Sequence, residues 1–451
     1  MKRSTCCTVC VIVIIQMILS SCTITPKTTN ETNHNKIADN NSMQSIPNRA
    51  LREQIKRLPI PKSYSYRANQ FSNTFTVFQD TLFFLCPLKE SEQGLVAFDT
   101  KQNRFLWTYS WENAIPMMEK MAISEKMVFL GSDIHDKEIG QEKNFLVAVD
   151  SLTGKESWRF YIQDNLPEPL KDSKDKIESA YWIGGFIFWK HQVFGLIEVT
   201  FLNQDQPLLY FASIDEITGH LIGYYMAPED YIFSDITLYQ LIGSDLYLSG
   251  TKQNESNQHL LCKFDLISHQ FSKLFPLSAQ QLLPIQNQAV FLGTDQDPYA
   301  LGSFDLKQQT VIWKVNQQDL PSQKKLPLSD VFFWQDHVVT YDDYSVFTYH
   351  LKQNKFLPSI QLDNSQPYAF HAGVQYEGIL YLAMGPQDWN QGESYILAFH
   401  IDTQRFLWKW KLPSSSFALY VCHGLFVNRN NLYFHCNNGA LFCIPLTKNL
   451  K

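Results

Sequence analysis

The chain is short of charge. Asp, Glu, Lys and Arg make up 18% of its 451 residues and leave a formal net charge of −6, whereas ordinary soluble domains carry about a quarter charged residues. Without a cationic surplus, the chain as a whole has no bulk attraction for nucleic acid or for anionic lipid. Catalytic signatures are missing too. There is no P-loop, no G-x-S-x-G and no H-E-x-x-H, so nothing nominates a nucleophile with its base, a metal-ligand set or a cofactor cradle. The pair Asp295 and Asp297 reads as turn capping. Nor is there a long apolar run. The longest, residues 9–19, falls well short of the roughly 20 residues that span a bilayer. Cysteine is present without a pairing scheme. Beyond residue 22 there are five, Cys86, Cys262, Cys422, Cys436 and Cys443, an odd number set in apolar runs, which reads as buried thiols.

What is present begins with the leader. Residues 1–22 read MKRSTCCTVCVIVIIQMILSSC: two cations, an apolar stretch, then small residues before a cysteine, the anatomy of a signal peptide. The ending Leu19-Ser20-Ser21-Cys22 resembles the bacterial lipobox, which implies cleavage after residue 21 and acylation of Cys22, with palmitate among the chains. Acyl chains would then hold the protein on a membrane, at roughly 0.8 kcal/mol per buried methylene. Thr23 follows the cysteine where Asp would imply inner-membrane retention, so the expected location is the periplasmic face of the outer membrane. Residues 22–47, rich in Thr and Asn, cannot offset their ordering entropy by burial and read as a disordered tether. A short helix is expected over 48–57.

From residue 58 on, the chain repeats itself. AFDTKQNRFLW at 97–107 returns as AFHIDTQRFLW at 398–408, and FLVAVDSLTGKESW at 145–158 and YFASIDEITGHLIGYY at 210–225 are further copies. Aligning them gives a register position at Asp99, Asp150, Asp215, Asp265, Asp305, His350, His400 and Pro445, with gaps of 40 to 65 residues. Ahead of each copy lies a second apolar phrase, such as DTLFFLC at 80–86, QAVFLGT at 288–294 or NNLYFHC at 430–436. Short β-branched and aromatic runs between turn formers are strands. Eight units at about 50 residues predict an all-β, eight-bladed propeller of four-stranded antiparallel blades over residues 58–451.

Each part of the copy has a mechanical reason. The apolar residues form a buried strand, and the Asp can accept hydrogen bonds from the amides of the following turn. Gly154 and Gly219 supply the positive φ that closes it. Trp107, Trp158, Trp313 and Trp408 start the outer strand and can pack on a neighbouring blade; Gly223, Lys273 and Pro358 hold that place elsewhere. The last copy ends after three strands, leaving an edge that invites aggregation. Residues 58–69 are expected to pair there as the fourth strand and fasten the ring.

AVDSLTGKESW, AFDTKQNRFLW and SIDEITGHL resemble the tryptophan-docking repeat of quinoprotein-type, PQQ-like propellers. Among lipoproteins with such a ring, the chain resembles the BamB family of outer-membrane assembly factors. That resemblance implies a monomeric, non-enzymatic scaffold without cofactor, whose partners are the barrel-assembly machinery and unfolded outer-membrane proteins. A periplasmic or surface propeller that binds carbohydrate or another protein is the alternative. A quinoprotein dehydrogenase, with pyrroloquinoline quinone over Ca²⁺, is the remote one: the vicinal cysteine pair such enzymes carry is found here only as Cys6-Cys7, inside the leader. Long polar loops are where a scaffold would bind. The candidates are Asp133 and Asp136 in 133–143, Lys171 in the loop at 164–179, and Asp388 with the interface-prone Trp389 in 385–393.

Overall fold

A computed structural model describes residues 56–57 and, with interruptions, 75–446. Its eight antiparallel sheets form an eight-bladed β-propeller. In each of the first seven blades the strands pair in sequence order, beginning with Phe75–Phe78, Thr81–Lys89, Glu92–Asp99 and Arg104–Ser110. From the second blade round to the eighth, first strands of neighbouring blades touch one another, which places them around the axis and the fourth strands at the rim. The third strands end at Asp99, Asp150, Asp215, Asp265, Asp305, His350, His400 and Pro445, one per blade.

The core is divided among eight apolar clusters, each shared by two adjacent blades. In the third strand of the second blade, Gln141–Asp150, Phe145, Val147 and Val149 face the first blade, whereas Leu146 and Ala148 face the third. A strand buried on both sides loses its polar alternation, which is why these strands read as continuous apolar runs. Cys262, Cys436 and Cys443 are buried within these clusters. Cys443 stands opposite Tyr433, and Cys436 opposite Cys422.

The ring closes between the eighth blade and the first. Phe426, Tyr433 and Leu441 pack with Leu82, Phe84 and Phe98. The Tyr433 hydroxyl donates to the Thr100 carbonyl at 2.9 Å, the Asn428 amide to the Thr100 hydroxyl at 3.0 Å, and Arg429 pairs with Asp80. The fourth strand of the eighth blade does come from the N-terminal side, but it is Lys56–Arg57, set opposite Cys443 and Phe442. These two residues were expected to end a helix. They are extended instead because the open edge of Leu441–Pro445 offers unpaired backbone groups that an adjoining strand satisfies. Residues 58–69, expected to supply this strand, lie outside the described residues, as do the leader and the tether.

Two blades depart from four continuous strands. The first strand of the second blade is split into Ala114–Ile115 and Ala122–Ile123, both pairing with Met127–Asp136. The fourth strand of the sixth is split into Lys355–Phe356 and Ile360–Gln361. Pro358 lies between the latter pair, and proline has no N–H to give the ladder.

Candidate functional site: the turn face of the propeller

The turn after each third strand meets the hairpin joining the first two strands. In all eight blades the residue following the register position donates its N–H to a carbonyl of that hairpin: Thr100 to Asp80 at 2.8 Å, Ser151 to Lys126 at 2.8 Å, and so on to Leu446 to Asn430 at 2.7 Å. One face of the ring is therefore built from a repeated pair of linked turns.

Within the turn the carboxylate at the register position accepts from the next amides. Asp99 takes Lys101 and Gln102 at 2.8 and 2.9 Å, and Asp305 takes Lys307 and Gln308 at 2.8 and 2.6 Å. Asp150 and Asp215 each accept two amides and also a hydroxyl, from Thr153 at 2.7 Å and Thr218 at 2.8 Å. The Thr218 amide and hydroxyl hold the Asp215 carboxyl below its usual range. The Ile267 amide does the same for Asp265. Burial pulls Asp150 upward, but the Thr153 hydroxyl and the Thr153 and Leu152 amides outweigh it and its carboxyl also lies low. In the seventh blade His400 stands in, its Nδ1 accepting from the Thr403 amide at 3.3 Å.

Four residues past the register position the backbone is left-handed in all seven described turns: Asn103, Gly154, Gly219, His269, Gln309, Asn354 and Gln404, with φ between 51° and 71°. Only two are glycine, so the conformation alone does not require it. The two glycines lie where a tryptophan from the preceding blade covers the turn. Trp107 donates its indole N–H to the Ser151 carbonyl at 3.0 Å and Trp158 to that of Glu216 at 2.8 Å. A Cβ on Gly219 would stand 2.6 Å from the Trp158 ring. Elsewhere other rings serve: Tyr225 stacks on His269 at 4.0 Å, and Trp313 on Tyr349 at 4.8 Å. Trp408 is buried in the cluster shared with the eighth blade, its ring beside Tyr381 of its own.

Glu216 breaks the pattern. It follows the register position, where other blades place Thr100, Ser151, Leu266, Leu306, Leu351, Ile401 and Leu446, and it is 2% exposed. Its carboxylate meets Nδ1 of the exposed His191 at 2.9 Å. Sequence reading passed over this residue; its departure from the aligned copies was the available signal.

Nearer the axis, glutamine amides bind first strands together. Gln240 of the fourth blade clasps Leu282 of the fifth through both amide atoms, donating to its carbonyl at 2.5 Å and accepting from its N–H at 3.0 Å. Gln281 accepts the Val331 N–H of the sixth blade at 2.6 Å. His371 is the extra residue of a bulge in the first strand of the seventh blade, and burial holds its imidazole below the usual range.

Of the candidate binding-loop residues, only Asp133 and Asp136 fall among the described residues. Asp133 and Asp136, expected in a loop, sit in the strand Met127–Asp136 opposite Asn144 and Gln141; the second and third strands continue through that stretch and leave only 137–140 between them. Lys171, Asp388 and Trp389 lie outside the described residues, as do Asp295 and Asp297. Among the described residues no three His, Cys, Asp or Glu side chains are grouped to hold a metal ion, and no helix is long and apolar enough to cross a membrane.

No protein-family model matches the chain, and no curated protein matches its sequence. Solved structures do. BamB from Moraxella catarrhalis is similar with a TM-score of 0.52 at 11% identity, over 86% of this chain and 99% of that one. The WD40 domain of SCAP from fission yeast is similar with a TM-score of 0.49 at 9% identity, over 88% and 99%. The dihydro-heme d1 dehydrogenase NirN in complex with DHE has a TM-score of 0.48 at 9% identity, over 74% and 65%. At these identities the likeness is one of fold.

Proposed function

We infer that the protein is a non-enzymatic, membrane-anchored scaffold of the BamB kind, which binds components of outer-membrane β-barrel assembly on the periplasmic side. The observation that carries this reading is a complete eight-bladed ring that covers 99% of the Moraxella catarrhalis BamB chain, joined in one sequence to the lipobox-like Leu19-Ser20-Ser21-Cys22. The repeat fits the same reading: it spends its carboxylates and tryptophans on holding turns and blades in place. A ring that presents many loops on its faces is suited to protein binding.

The test is affinity capture of the full chain from native envelopes, with Cys22→Ser in parallel. Wild type should recover barrel-assembly subunits and incorporate labelled palmitate, and the variant should lose the label. Wild-type captures that consistently lack those subunits would defeat the assembly role, whatever the label shows.

A further inference from the structure

The strands Cys422–Asn428 and Asn431–Cys436 form the inner hairpin of the eighth blade. Asn428 faces Asn431 across a two-residue turn whose residues, Arg429 and Asn430, are both left-handed at φ 49° and 60°, the conformation of tight turns that fix hairpin register. At the far end of the hairpin the first residue of one strand meets the last of the next. Both are cysteine: Cys422 is in register with Cys436. Residues directly opposite on antiparallel strands have Cα atoms about 4.5–5.5 Å apart, inside the roughly 4.4–6.8 Å that a disulfide spans.

The register gives the other three cysteines no cysteine opposite. Cys443 stands across from Tyr433, Cys262 from Leu248 and Cys86 from Gly94. Cys443 and Cys436 belong to the same sheet but to opposite faces of it. Cys443 packs toward the first blade with Phe84 and Phe98, whereas Cys436 packs toward the seventh with Tyr381 and Trp408. Five cysteines therefore yield one pair that the backbone holds at bonding distance.

We propose that Cys422 and Cys436 are joined by a disulfide in the mature protein, closing the open end of this hairpin. The proposal rests on the export that the leader at residues 1–22 implies and not on the assembly role, since disulfides persist outside the reducing cytosol. One cysteine, as its thiolate, attacks a disulfide-bearing exchange oxidant and forms a mixed disulfide, releasing one oxidant sulfur. The second cysteine thiolate displaces the other oxidant sulfur. The S–S bond of the oxidant is broken and that of the protein is formed, and the two electrons and two protons end on the oxidant as two thiols. Cys436 is 0% exposed in the packed blade, so the exchange belongs to folding, after the hairpin forms and before the seventh blade covers it. The same burial then shields the bond from reductants.

The bond holds a weak point of the ladder. The register shifts between Cys422 and Gly424, and a bulge leaves one residue outside the regular pairing. The strand that begins at Cys422 also lies against Tyr368–Tyr376, the first strand of the seventh blade. A fixed end there holds the last blade to the ring.

The test isolates the full chain from envelopes after an acid quench and blocks thiols with N-ethylmaleimide in denaturant. The protein is then reduced and labelled with deuterated N-ethylmaleimide. Peptide mapping should find the deuterated label on Cys422 and Cys436 in roughly nine of ten molecules or more, as for a structural disulfide, and the light label on Cys86, Cys262 and Cys443. Without reduction, the peptides holding Cys422 and Cys436 should appear as one linked species. Light label at both positions would overturn the proposal, as would a link from either to Cys86 or Cys443. Refolding in a buffer of reduced and oxidised glutathione locates such a failure: a Cys422–Cys436 link formed only there would count against the exported location, and its absence there against the geometry.

Discussion

Gly154 lies beneath the indole of Trp107, so close that a Cβ built on it would stand 2.6 Å from the ring. Its φ of 71° is shared in kind by Gln309, at 56°, which has a side chain. The same turn therefore uses glycine for two reasons in one blade and dispenses with it in another. Gly154→Ala should cost about 2–4 kcal/mol, combining left-handed strain with overpacking against the indole. Gln309→Gly should lie within about 1 kcal/mol of wild type, since relief of strain offsets added chain entropy. Denaturant midpoints of the two variants check this; equal losses would show that the indole contact carries no weight.

That contrast also explains what the sequence could announce. Buried third strands declare themselves as apolar runs that end at Asp99, Asp150 or Asp215, because both their faces are covered by neighbouring blades. The eight-fold count was legible from them alone. First strands were not legible: they are short or bulged, as in Phe75–Phe78 and at His371, and they join one another through residues such as Gln240 and Gln281 that look like ordinary surface glutamines. The two-residue strand Lys56–Arg57 has no pattern of its own, since it is defined by the edge it covers. Left-handed His269, Gln309 and Gln404 carry no local signal either, because glycine and asparagine are the residues that advertise that conformation.

Acid should weaken the turns. Asp150, Asp215 and Asp265 all have carboxyls held below their usual range. A group whose folded pKa is depressed stabilises the fold above its unfolded value, about 3.9 for Asp, and that stabilisation is lost as pH falls through the folded value. Asp215→Asn should lower stability at neutral pH by about 1 kcal/mol, the size of one weakened charge-assisted bond. Below about pH 4 its stability should fall less steeply than that of wild type. Denaturant titrations across that range read both effects, and parallel slopes would remove Asp215 from the acid response.

Closure of the ring should be separable from the integrity of the blades. Lys56→Pro together with Arg57→Pro removes both amides that this strand could donate to the edge beside Phe442 and Cys443. Hydrogen exchange should accelerate in Leu441–Pro445, and the protein should aggregate at lower concentration, while amides of Gln141–Asp150 keep their protection. Equal acceleration in both strands would mean that closure and blade stability form a single cooperative unit.

The repeat itself predicts what Glu216 costs. Seven blades place Thr, Ser, Leu or Ile after the register position, and only the third buries a carboxylate there. Its charge has an exposed imidazole as partner, His191, and a pairing that is mostly solvated on one side repays desolvation poorly. Leucine already fills this place at Leu266 and Leu446, 1% and 3% exposed, so the site can accept it. The backbone bonds of residue 216, to the His191 carbonyl and from the Trp158 indole, do not depend on its side chain. Glu216→Leu should therefore leave stability unchanged or raise it by as much as about 2 kcal/mol, whereas Glu216→Ala should lower it by leaving a void. A thermal shift series with His191→Ala as the third member separates the terms. If leucine destabilises as much as alanine does, and removal of His191 costs the same amount, the ion pair is a structural necessity of the third blade. If leucine is tolerated, the Glu216–His191 pair is dispensable for the fold of the third blade.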